Sequence, residues 1–95
     1  MRLSEQKIQY IKNGLKKLAP ESHVYIFGSR ADDNAKGGDI DILWLTYEKI
    51  SGHNIRKFRI DFYKKFGWQK LDIVNFTFHQ EDVFKDIALN RAVEI

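Results

Sequence analysis

The fold is decided by residues 24–45, which read VYIFGSRADDNAKGGDIDILWL. The first four of these residues form a short run of β-branched and aromatic side chains, which is typical of a buried strand, and Gly28-Ser29 ends the run. A second apolar run begins at Ile40, after a polar segment at residues 30–38. This stretch predicts two strands joined by a polar loop, with room for one helical turn after Ser29. The loop is too short for a long crossover helix, so we expect a mixed sheet.

Two aspartates flank Ile40 at the entry to the second strand. Because side chains alternate across a strand, Asp39 and Asp41 are expected on the same face. Neighbouring carboxylates repel each other, and one tends to bind a proton unless a cation compensates the charge. Carboxylate oxygens are ligands that magnesium prefers. The pair therefore indicates a divalent metal site, and the alternative is a solvated or capping pair at a strand edge.

The Gly28-Ser29 pair is suited to a phosphate ligand. Glycine lets the backbone approach a ligand closely, and the Ser29 hydroxyl and the N–H groups after it can hold phosphate oxygens. Arg30 would add positive charge there, or it is an exposed turn arginine without such a role. A simple turn is the alternative interpretation of the whole pair.

Length and composition indicate a small folded domain. The 95 residues are 43% hydrophobic and 31% charged, which predicts one globular domain spanning residues 1–95. The absence of cysteine excludes a disulfide framework and a thiolate zinc site. We see no targeting segment and no apolar run near the roughly 18 residues that a membrane span needs, so a cytoplasmic protein is expected. The formal charge of +3 is compatible with an anionic ligand but does not by itself predict nucleic-acid binding.

The rest of the chain predicts helices around a third strand. A first helix is capped by Ser4, and a second is capped by Ser51 and stopped by Gly67. A third is expected to start from a Thr77/Gln80 capping box, and Glu81 and Asp82 favour the same helix start. The apolar positions of the first two helices recur at steps of three and four: Ile8, Ile11, Leu15 and Leu18, then Ile55, Phe58, Phe62 and Phe66. Residues 93–95 are candidates for a terminal strand. The predicted fold class is α/β, a small mixed sheet with helices packed against it.

The third strand, at residues 70–76, carries one acidic residue among apolar neighbours. A charge in such surroundings is costly unless it is compensated, so Asp72 needs a partner. A strand-entry aspartate that faces water is the alternative.

The order of these motifs resembles a known family. A strand followed by Gly28-Ser29-Arg30-Ala31, a polar loop and Gly38-Asp39-Ile40-Asp41 is similar to the signature of the nucleotidyltransferase superfamily that includes DNA polymerase β. The short chain looks most like the minimal nucleotidyltransferase (MNT) domains that pair with HEPN toxins. The resemblance covers essentially the whole chain and implies the nucleotidyltransferase fold. The spacer departs from the common pattern, because Asp32-Asp33 stands where many relatives carry an arginine and a glycine.

The resemblance also implies roles for particular residues. Asp39, Asp41 and Asp72 would be the catalytic residues and the ligands of two Mg²⁺ ions, with Asp72 helping to deprotonate the acceptor hydroxyl. The nucleotide, expected to be ATP, would be held by its phosphates at Gly28 and Ser29.

A partner is implied as well. We expect no acceptor domain after Ile95, so the acceptor is expected to be another protein. The resemblance implies adenylylation of a tyrosine on a HEPN toxin by an antitoxin. The alternative is a binding module that neutralises a partner by contact. A third interpretation is nucleic-acid binding through Arg56, Lys57 and Arg59, which are otherwise a solvated helix face.

Overall fold

The computed structural model describes residues 4–27 and 39–95. Gly28, Ser29 and Arg30, and the polar loop predicted at residues 30–38, lie outside the described residues. The described part of the chain forms α1 (Glu5–Leu18), β1 (His23–Phe27), β2 (Ile40–Thr46), α2 (Gly52–Phe66), β3 (Leu71–Thr77), α3 (Val83–Arg91) and β4 (Val93–Glu94). None of the helices in these two ranges is long and apolar enough to cross a membrane.

The four strands form one mixed sheet in the order β3-β2-β1-β4. Strand β1 is antiparallel to both β2 and β4, whereas β2 and β3 are parallel. The parallel pair is joined through α2, as parallel neighbours require a crossover connection. The predicted mixed sheet is confirmed, and so are the strands expected in the described residues.

Local sequence signals set the ends of α1 and α2. The Ser4 hydroxyl accepts a hydrogen bond from the Lys7 backbone N–H, and Ser51 does the same for Asn54, each at 3.2 Å. These bonds satisfy donors that a helix start would otherwise leave unpaired. Gly67 ends α2 with φ at 83°, a conformation that favours glycine, as predicted.

The start of α3 differs in part from the prediction, because the cap is Asp82 and not Thr77. Asp82 caps the helix by accepting hydrogen bonds from the backbone N–H groups of Phe84 and Lys85 at 2.8 and 3.2 Å. Gln80 does reach back to the Thr77 N–H at 3.3 Å, but Thr77 is the last residue of β3. The bond therefore closes the turn between strand and helix, and the expected Thr77/Gln80 capping box is wrong as a helix start.

Helices cover both faces of the sheet. Helices α1 and α2 cover one face, where Trp44 and Phe62 are fully buried, and α3 covers the other, where Ala88 packs with Leu43. Successive residues of β2 thus enter different cores. This alternation decides which side chains of β2 can share a site.

Helices α1 and α2 pack closely at Gly14. A Cβ atom added to Gly14 would lie 2.3 Å from Cε1 of Phe58. We therefore expect Gly14→Ala to lower the free energy of unfolding by about 1–3 kcal/mol, although alanine is the better helix former. Urea unfolding would measure the change. Gly52→Ala is the matched control, because nothing lies within 4 Å of its added Cβ, and an equal loss in both variants would contradict the packing explanation.

Candidate active site

Strand β2 directs Asp41 to the face that α3 covers. Asp41, Leu43 and Leu45 alternate with the residues that pack against α1 and α2, and Leu43 and Leu45 belong to the core beneath α3. Asp41 is half-buried, and Asp39 is exposed one residue before the strand begins. Alternation thus gives Asp41 a defined face at the start of β2.

Strand β3 brings a third carboxylate beside Asp41. In the parallel register, Asp41 pairs directly with Asp72, and the bond from the Ile40 N–H to the Lys70 carbonyl at 2.9 Å fixes the start of this ladder. Asp72 alternates with Ile73 and shares the face of Phe76, which lies in the core beneath α3. A shift of the register by one residue would turn Asp72 to the opposite face.

The electrostatics of Asp41 reflect this convergence. Burial raises the pKa of Asp41, and the negative charges of Asp72 and Asp39 raise it further, while Lys70 acts in the opposite direction. The Lys70 ammonium lies 3.8 Å from a carboxylate oxygen of Asp72. Both side chains of that pair are substantially exposed, so the attraction is weak. The net effect on Asp41 is therefore a raised pKa in spite of Lys70.

The raised pKa of Asp41 predicts a pH dependence of stability. A carboxyl whose folded pKa exceeds its ordinary value of 3.8 stabilises the fold while protonated, and this contribution is lost as pH rises through the folded pKa. In the presence of a chelator, we expect Asp41→Asn to gain stability relative to the original protein as pH rises above 4. Urea unfolding of both proteins at several pH values measures this difference in the free energy of unfolding. A difference between the two proteins that stays constant with pH would contradict the prediction.

The donor chemistry of this face fits a hard divalent cation. The three carboxylates supply oxygen ligands, and a bound cation would relieve the repulsion that Asp41 experiences from its neighbours. Within residues 4–27 and 39–95, however, no group of three or more His, Cys, Asp or Glu side chains has the geometry to hold a metal ion. Asp39, Asp41 and Asp72 therefore lie at one end of one face without forming a ready ligand cage.

An aromatic wall borders the carboxylates. Phe27 pairs with Asp41 across the β1–β2 ladder, and its ring lies 5.9 Å from that of Phe84 on α3. Phe84 is in turn 6.3 Å from Phe76. Sequence reasoning missed this wall and also missed Lys70. The available signal for Phe27 is its position directly before Gly28-Ser29, whereas nothing local in the sequence indicates Phe84.

The predicted phosphate-binding residues stand between β1 and β2 in the chain. Gly28, Ser29 and Arg30 lie outside the described residues. The residue before them in the chain, Phe27, is the one that pairs with Asp41.

The family of the chain follows from its sequence match. The model of the family described as polymerase beta, nucleotidyltransferase matches residues 9–95, so the chain belongs to this family. Its small mixed sheet with three described helices is the nucleotidyltransferase fold in a minimal form. A search of curated proteins finds no match. The family and the fold together define a nucleotidyltransferase domain whose substrate is a nucleotide.

Proposed function

We propose that this protein is a metal-dependent nucleotidyltransferase that moves AMP from ATP to a tyrosine of a partner HEPN toxin, and that it acts as a cytoplasmic antitoxin. The observation that carries the proposal is the parallel register that sets Asp41 beside Asp72, with Asp39 two residues away, in a chain of this family. We assign Asp39, Asp41 and Asp72 as ligands of Mg²⁺.

The proposed reaction is a nucleophilic displacement at the α-phosphorus of ATP. The tyrosine oxygen forms a bond to the α-phosphorus of ATP, the bond from that phosphorus to the bridging oxygen breaks, and pyrophosphate leaves. Asp72 accepts the proton of the tyrosine hydroxyl. Mg²⁺ held by Asp39, Asp41 and Asp72 would supply stabilisation of the negative charge that develops in this displacement.

The remaining contacts to ATP are assigned by motif. We propose that Gly28 and Ser29 hold the β- and γ-phosphates and that Arg30 adds positive charge beside them. We propose that Phe27 and Phe84, whose rings lie 5.9 Å apart, form the side of the site towards α3.

The second candidate is a module that neutralises its partner by contact alone. Helix α3 favours it, because Val83 and Ile87 are 75% and 55% exposed and suit a protein contact. The paired carboxylates argue against it, since Asp41 carries an electrostatic cost that contact does not require. The basic group on α2, Arg56, Lys57 and Arg59, belongs to a helix that packs on the opposite face of the sheet. We therefore assign this group no role at the carboxylates.

A labelling experiment tests the proposed chemistry. The protein and its HEPN partner are incubated with Mg²⁺ and, in turn, with each nucleoside triphosphate labelled at the α-phosphate. Label from ATP should become covalently attached to the partner and remain on it after treatment with acid. If the partner is neutralised but acquires no label from any triphosphate, the result would contradict the enzyme and support the contact module.

A further inference from the structure

Helix α3 presents apolar side chains on its outer side. Val83, Phe84 and Ile87 are 75%, 48% and 55% exposed, whereas Lys85 and Ala88 are 8% and 5% exposed and face the sheet. Ile87 lies four residues after Val83 and three after Phe84, so its side chain is a neighbour of both on the helix surface. We call these three side chains the α3 patch. Three large neighbouring apolar side chains in water are characteristic of a surface that contacts another molecule.

The α3 patch is continuous with the carboxylate site. The ring of Phe84 contacts Phe27 at 5.9 Å between centroids, and Phe27 pairs with Asp41. Phe27 and Phe76 belong to the core beneath α3, and the ring of Phe84 lies 5.9 and 6.3 Å from theirs. A molecule that covers the patch would therefore extend to the carboxylates.

Among the described residues, the charged side chains that flank the α3 patch along the helix start are acidic. Glu81 and Asp86 are exposed on either side of Val83 in sequence, and the Asp82 carboxylate caps the helix. The ammonium group of Lys85 does not offset them at the surface, because it is turned inward and donates to the carbonyls of Phe78 and Gln80. The exposed basic residue of α3, Arg91, lies at the other end of the helix.

We propose that the α3 patch is the docking surface for the acceptor protein, and that this partner presents an apolar centre surrounded by lysine and arginine. The role of the docked protein as acceptor rests on the proposed function. Large apolar side chains at the centre of an interface give most of the binding energy, and complementary charge at the rim sets the choice of partner. Docking here positions the partner's hydroxyl group at Asp39, Asp41 and Asp72, which lie on the same face. An acidic partner would meet like charge at both the rim and the site.

Single substitutions in the α3 patch test the proposal. Ile87→Glu and Val83→Glu are compared with Ile60→Glu, a matched control at a side chain that is 45% exposed on α2. The purified HEPN partner is titrated into each variant by calorimetry, and the rate of AMP transfer is measured at a limiting partner concentration. The two α3 variants should bind about tenfold or more weakly and transfer AMP more slowly in proportion, while Ile60→Glu behaves like the original protein. The rise in melting temperature with Mg²⁺ and ATP should persist in all three variants, which shows that the fold and the site are intact.

Charge reversal tests the sign of the partner surface. Glu81→Lys combined with Asp86→Lys should weaken binding, and the original complex should weaken as salt is raised from about 50 to about 500 mM. Unchanged or tighter binding of the double variant would contradict a basic partner. Self-association that Ile87→Glu abolishes would identify a second copy of this chain as the occupant and overturn the proposal.

The outcomes separate docking from chemistry. If the partner binds in a way that depends on Ile87 but no AMP is transferred, the proposed reaction is wrong and the docking surface is supported. If Ile87→Glu and Val83→Glu transfer AMP at the original rate, the proposed docking surface is wrong and the reaction is supported. A HEPN partner that does not bind the original protein overturns both.

Discussion

Asp39→Ala and Asp72→Ala should each reduce AMP transfer to the partner by at least about a hundredfold while still binding the partner. Changes to residues that only support metal ligands typically cost 10–100-fold, so loss of a proposed ligand should cost no less. Both side chains are substantially exposed, at the end of the sheet where β2 and β3 begin. Neither is part of the α3 patch. The transfer rate is measured with labelled ATP, and the affinity by calorimetry with the same proteins.

Asp61→Ala is the matched control for these two variants. Asp61 is an exposed aspartate on α2, which packs on the opposite face of the sheet. It should transfer AMP at the original rate. If Asp39→Ala and Asp72→Ala also retain that rate, the assignment of the carboxylates is wrong. If they lose partner binding as well as transfer, their role lies in the interface.

The second large effect concerns the link between ligand and stability. Mg²⁺ with ATP at 100 times its dissociation constant should stabilise the original protein by about 2.7 kcal/mol, which raises the melting temperature of a domain of this size by roughly 10–20 °C. Asp41→Asn should abolish most of this rise. Without metal, the variant should be as stable as the original protein or more stable, because the substitution removes a charge that Asp72 and Asp39 oppose.

Differential scanning fluorimetry with and without Mg²⁺, ATP and a chelator measures both parts of this prediction. Ile60→Glu, which lies on α2, is expected to retain the full rise. An Asp41→Asn variant that melts early without metal but keeps the ligand-induced rise would exclude Asp41 as a metal ligand.

Features of the site that depend on residues near in sequence could be predicted, whereas those that depend on contacts between distant segments could not be predicted from local patterns. Alternation along a single strand is local, and the assignment of Asp41 to one face of β2 needed no tertiary information. Placing Asp72 beside Asp41 required the neighbour of β2 in the sheet, which came from the family resemblance. The structure gives that neighbour as β3, in a register that pairs the two aspartates.

Other features depend on packing that no local pattern encodes. Helix periodicity predicted α1, but the close approach of Gly14 to Phe58 depends on how α1 crosses α2. The cap of α3 was misplaced because the Thr77/Gln80 pattern occurs at a strand end, where the parallel ladder extends β3 to Thr77. The contact between Phe27 and Phe84 depends on the path of α3 across the sheet. The roles of Gly28, Ser29 and Arg30 stay predictions.

The central claim is that the three aspartates transfer AMP to a tyrosine of a partner protein. Holding a hydroxyl in line with a phosphate can account for roughly 7–11 kcal/mol of a barrier, so the protein without its acceptor should use ATP slowly. The family resemblance implies that the HEPN partner is an RNase, and an adenylyl group would add bulk and negative charge that hinder binding of its anionic substrate.

The most direct test is the intact mass of the HEPN partner after incubation with this protein, ATP and Mg²⁺, with fragmentation to locate the modified residue. The expected result is a gain of one or more whole adenylyl groups on a tyrosine, absent with Asp72→Ala and in the presence of a chelator. A partner that is neutralised at its unmodified mass would contradict the claim.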